Sequence, residues 1–136
     1  MSVFLRPRED GTWEIHIENE PEFCRALPMR PHEMETELQV GFWLVLLIAV
    51  WSVPDRTAIQ QALDAVKPYE GTVKLGIRPF DKHEEISGWI SGVKERWASP
   101  ILLMLHNGRV LDEKVGVLKQ EDITRMIQRT VDMPTD

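Results

Sequence analysis

The side chains best placed to do chemistry in this chain are Ser52 and Asp55, three positions apart in Trp51-Ser52-Val53-Pro54-Asp55-Arg56. A hydroxyl close to a carboxylate raises the idea of a hydrolytic site. A serine hydroxyl is a poor nucleophile without a base to activate it, however, and no histidine lies near Ser52 in the sequence. The same residues form a strong helix start: Ser52 can cap, Pro54 is tolerated in the first turn, and Asp55 closes a Ser-x-x-Asp capping box. Capping accounts for both residues, and no catalytic residue is assigned.

The remaining reactive side chains are scattered. His16, His32, His83 and His106 lack ligand-like spacing, so neither a metal nor any other cofactor is implied. Cys24 is the sole cysteine, which rules out a disulfide within the chain and a zinc site built on several thiolates. It reads as a small buried apolar residue, with a regulatory or intermolecular thiol as the alternative.

Regular elements must position these groups. Thr12 to Ile17 alternates apolar and polar residues as a half-buried strand does. From Pro21 to Val40 the pattern is broken by Pro21, Pro28 and Pro31, leaving a short helix over His32 to Gln39 as the only suggestion. Phe42 to Val50 is apolar on both faces, the mark of a central strand covered on either side. After the Ser52 cap, Ile59, Ala62, Leu63 and Val66 form one helical stripe that Pro68 stops. Val73 to Ile77 reads as a strand. A second helix over Glu84 to Trp97 carries Ile86, Trp89, Ile90, Val93 and Trp97 on one stripe. Ile101 to Leu105 and Val110 to Val115 flank Asn107-Gly108, the pair that supplies the positive φ angles of a type I′ hairpin. Ile123, Met126, Ile127 and Val131 mark a closing amphipathic helix, opened by Glu121 and Asp122. The order predicts an α/β fold, a mixed central sheet with helices on both faces. It also predicts an acidic N-terminal segment over 1–40 packed on the same domain, a core over 41–131 and a frayed tail over 132–136.

Over roughly Gly41 to Val131 this pattern resembles the thioredoxin family. Ala49-Val50-Trp51-Ser52-Val53-Pro54-Asp55-Arg56 is similar to the active-site stretch Trp-Cys-Gly-Pro-Cys-Lys, with Trp51, Pro54 and a basic Arg56 in place. Ala98-Ser99-Pro100 before Ile101 to Leu105 resembles the family's cis-proline and the strand after it. Asn107-Gly108 matches the hairpin glycine, and Val115-Gly116-Val117 is similar to the Val-Gly-Ala loop before the last helix.

The departures from the family decide what the resemblance implies. Dithiol exchange needs a thiolate at a helix N-terminus and a second, resolving thiol. Ser52 and Asp55 stand at those two positions, and Leu46 stands where thioredoxins place a buried aspartate. Dithiol oxidoreductase activity is therefore not expected. What the resemblance retains is the groove, lined by Trp51, Ser52, Val53, Pro54, Ser99, Pro100, Gly116 and Val117. Such a rim can hold an extended peptide by strand-like hydrogen bonds without chemistry. The expected function is a non-redox module that binds another protein or peptide as chaperone, assembly factor or adaptor. The alternatives are a monothiol or glutathione-dependent enzyme using Cys24, and a self-associating structural protein, as a homodimer for instance.

Composition narrows the partners. The 136 residues carry a net charge of -6, which gives no electrostatic drive toward nucleic acid or an anionic membrane. Residues 1–40 hold most of that charge, with 9 Asp/Glu against 4 Lys/Arg. Phe42 to Trp51 is too short for a membrane span, which needs about 20 apolar residues. The charged start, with Arg6, Arg8, Glu9 and Asp10, does not read as a secretory signal. A lone cysteine suits a reducing compartment, and the cytoplasm is the expected location.

Overall fold

The structure is a computed structural model that describes residues 3–9, 13–18, 21–26, 38–49, 53–80, 100–116 and 119–132. The strands are β1 (Val3–Pro7), β2 (Trp13–Ile17), β3 (Cys24–Ala26), β4 (Phe42–Ala49), β5 (Val73–Phe80), β6 (Ile101–His106) and β7 (Arg109–Val115). The helices are α1 (Val53–Val66) and α2 (Gln120–Val131). Strands β3 to β7 form a five-stranded sheet in the order β3-β5-β4-β6-β7, and β1 and β2 form a separate antiparallel hairpin. β4 runs parallel to β5, and β5 to β3, whereas β6 and β7 are antiparallel to their neighbours. The mixed α/β sheet expected from the sequence is present.

β4 is central because it is apolar at every position, and its period-2 alternation feeds two cores. Leu44, Leu46 and Ile48 point into one core with Leu75 and Ile77 of β5, roofed by Ala62, Leu63 and Val66 of α1 and by Ile123, Met126 and Ile127 of α2. Trp43, Val45, Leu47 and Ala49 point into the other with Phe80, Ile101, Leu103 and Leu38. The helix expected over Glu84 to Trp97 lies outside the described residues. So does the one expected over His32 to Gln39, apart from its last two positions.

Three differences from the sequence reading have clear causes. β1 carries no strict alternation, and pairing with β2 is what orders it, from Val3 opposite Ile17 to Pro7 opposite Trp13. β3 has three residues, too few for a periodic signal, and is set by its parallel register on β5, with Cys24 opposite Leu75. β5 runs on past Ile77 through Arg78, Pro79 and Phe80, a cation and a proline that read as a strand end but continue the ladder beside Leu47, Ile48 and Ala49.

The hairpin forms as its sequence predicts. Asn107 and Gly108 have φ of 50° and 84°, as a type I′ turn demands. Asn107 does more than turn: its Oδ1 accepts the Gly41 N–H at 2.9 Å and its own N–H donates to the Gly41 carbonyl at 3.0 Å. The entrance to β4 is thereby tied to the far end of β6.

Candidate functional site

The candidate site lies where the parallel strands β4 and β5 end, the edge of an open α/β sheet at which ligands bind most often. β4 finishes at Ala49 and α1 begins at Val53, with three residues between them along the chain. Asp55, in the first helical turn, is 1% exposed, and its Oδ2 accepts the Ala49 N–H at 2.8 Å. The carboxylate reaches back as in a capping box, but as far as the last residue of the strand. A negative charge here also suits the positive end of the helix dipole.

The second wall is built by β6 and β7. Leu47 of β4 pairs with Ile101, and Ile101 pairs with Val115, which brings the start of β6 and the end of β7 to the same edge. Pro100, buried just before β6, accepts the Gly116 N–H on its carbonyl at 2.9 Å. Gly116 has φ of 98°, a conformation that favours glycine, and a Cβ at that position would meet no described atom within 4 Å.

Of the residues assigned to the groove from sequence, Pro100 and Gly116 are joined by this hydrogen bond, and Val53 and Pro54 open α1 at the same sheet edge. Trp51, Ser52, Ser99 and Val117 lie outside the described residues, as does the Ser99–Pro100 peptide bond and with it the expected cis-proline. Cys24 is 1% exposed and lies opposite Leu75, five positions along β5 from Phe80, or roughly 16 Å from the site edge. The thiol is thus remote from the groove. Among the described residues, no three His, Cys, Asp or Glu side chains converge as a metal site would need. No helix among them is long and apolar enough to cross a membrane.

Sequence reasoning missed Arg78. Its side chain is 0% exposed, beside Leu47 at the site end of β5. An arginine within a strand of this length normally faces solvent, and only the apolar residues on both sides, Ile77 and Phe80, hinted that the strand runs on.

No protein-family model matches the chain, and no curated protein sequence matches it. Similarity is found in structure. One chain of a crystal structure of a ferredoxin:thioredoxin reductase and thioredoxin f2 complex superimposes with a TM-score of 0.55 at 15% sequence identity. The match covers 71% of this chain and 84% of that one. The fold is thioredoxin-like. At such low identity the likeness concerns architecture alone.

Proposed function

We propose that this chain is a divergent, redox-inactive member of the thioredoxin-like group that binds another protein or a peptide, as chaperone, assembly factor or adaptor. The observation that carries the reading is Asp55. Where the family pattern places the resolving thiol, this chain has a buried carboxylate already committed to the Ala49 N–H. A carboxylate cannot form or resolve a disulfide, and this one serves the strand-to-helix junction.

In this reading the binding surface is the groove expected from the sequence, to which Trp51, Ser52, Val53, Pro54, Ser99, Pro100, Gly116 and Val117 are assigned. An extended segment lying across it would be held by backbone hydrogen bonds, with Trp51 as aromatic anchor. The burial of Cys24 speaks against a monothiol mechanism, because the thiolate is the reactive species and needs access. The cytoplasm is the compartment proposed for a chain with one buried cysteine.

The test is affinity capture from the native host with wild type, Trp51→Ala and Cys24→Ser. A partner retained by Cys24→Ser and lost from Trp51→Ala supports groove binding. A partner lost from Cys24→Ser alone, or disulfide reduction of insulin above a no-protein control, overturns it.

A further inference from the structure

The end of the sheet opposite the groove holds a pocket of about 580 Å3, a volume within the range of ligand-binding clefts. It opens between the starts of β3, β4 and β5; Phe42 pairs with Val73 there, seven positions from the Ala49–Phe80 pair and so roughly 23 Å from the groove. Phe23, Val40 and Phe42 supply its apolar wall, and Glu22, Glu70 and Lys74 its charges.

Each apolar wall is held in place. The Phe23 carbonyl accepts the Leu75 N–H at 2.7 Å. The Phe42 ring stacks on His106 with centroids 4.2 Å apart. The Val40 carbonyl accepts the Trp43 indole N–H at 3.1 Å, yet the Val40 side chain is 73% exposed. Val40 thus presents an apolar side chain to water at the rim while its backbone is fixed, beside the half-buried Phe23 and Phe42.

The charges select the contact. Lys74 lies 5.6 Å from the centre of the Trp43 ring, so its ammonium is partly engaged by a cation–π interaction. Glu22 and Glu70 form no ion pair with any described residue, and the pocket's charge is left net negative within a chain of net charge -6. Such a field favours the approach of cationic partners.

We propose that this pocket is a second protein-docking site, taking a polypeptide segment that presents an apolar side chain beside a lysine or arginine. The inference is independent of the groove, since the two sites share no residue.

The probes are the peptides acetyl-Lys-Leu-Leu-Lys-amide and acetyl-Glu-Leu-Leu-Glu-amide, titrated into isotope-labelled protein and followed by amide chemical shifts. The cationic peptide shifts the amides of Phe23, Gly41, Phe42 and Gly71 and leaves Gly116 unmoved, and the acidic peptide does neither. The exposed double variant Glu22→Lys/Glu70→Lys weakens the cationic peptide by about tenfold, as loss of charge complementarity across a contact surface does. Val40→Ser, a milder change at an exposed position, weakens it as well. Equal binding of both peptides, shifts confined to Gly116, or an affinity indifferent to the charge reversal overturns the proposal. So does binding of lysinamide as tightly as the peptide, which would mark a small-cation site, or a dimer in light scattering that Val40→Ser dissociates, which would make a second copy the occupant.

Discussion

The backbone N–H of Ala49, the last residue of β4, donates to the carboxylate of Asp55 in the first turn of α1 at 2.8 Å, with both residues buried. This one bond links the end of the central strand to the first turn of the helix that roofs it. It satisfies a strand N–H at the sheet edge and places an anion at the positive end of the helix. A thiol at this position would accept only a weak hydrogen bond, so the aspartate supplies a structural tie that a cysteine would not.

Removing the acceptor should therefore cost stability. Asp55→Ala leaves a buried N–H without its partner and is expected to destabilise by about 1–3 kcal/mol. Asp55→Asn retains an oxygen acceptor of the same reach and should lose less, and Asp55→Cys should behave like alanine. Urea unfolding of the three variants ranks them. Equal stability of Asp55→Ala and wild type would contradict the role assigned to the bond.

Cys24 gives a second expectation. At 1% exposure, in a strand paired to β5, its thiol should be labelled by an aromatic disulfide reagent only as fast as the protein opens locally. Labelling in native buffer should be slower than in urea by roughly tenfold for each 1.4 kcal/mol of opening free energy. Rapid, complete labelling of the native protein would restore the monothiol reading.

The parts of the fold legible in the sequence are those in which local pattern and tertiary role coincide. β4 is apolar because it is buried on both faces, and α1 and α2 carry their core residues at helical spacing because each covers the sheet with one face only. Asn107-Gly108 is legible because the turn type is dictated by two backbone angles. β3 was hidden because its three residues are too few to show a period and its partner β5 lies far along the chain, and β1 because Val3-Phe4-Leu5-Arg6-Pro7 carries no strict alternation. Arg78 and Pro79 concealed the end of β5 because their residue types argue against a buried strand, and only the register on Leu47 and Ile48 overrides that. At the site, a helix opening just before Asp55 was legible and α1 begins at Val53, whereas the bond from the Ala49 N–H to Asp55 joins residues six apart and leaves no local signal in the sequence.

Asn107 supports two structures at once, and its substitutions should separate them. Asn107→Gly keeps the left-handed backbone and loses the side-chain bond to the Gly41 N–H, an exposed contact expected to contribute about 0.5–1.5 kcal/mol. Asn107→Ala loses the same bond and also forces an ordinary residue into a positive φ, adding roughly 1–2 kcal/mol. The glycine variant should thus be the more stable of the two in denaturant unfolding. The reverse order would mean that the hairpin does not keep the type I′ turn in solution.

Gly116 offers the sharpest separation of stability from function. Its φ of 98° strains any other residue, so Gly116→Ala should destabilise by about 1–2 kcal/mol. Because a Cβ there meets no described atom within 4 Å, a larger side chain should add little to that cost, and Gly116→Phe should unfold within about 0.5 kcal/mol of Gly116→Ala. The Pro100 carbonyl bond to the Gly116 N–H is a backbone contact available to both variants. They differ in what projects from the open surface: a methyl group in one, a phenyl ring across the groove in the other. If the groove is the docking surface, a partner captured by wild type should still be captured by Gly116→Ala and be lost from Gly116→Phe at matched stability. Capture by both variants would place the partner elsewhere on the molecule, and loss from both in proportion to their unfolding would show that the effect is one of stability.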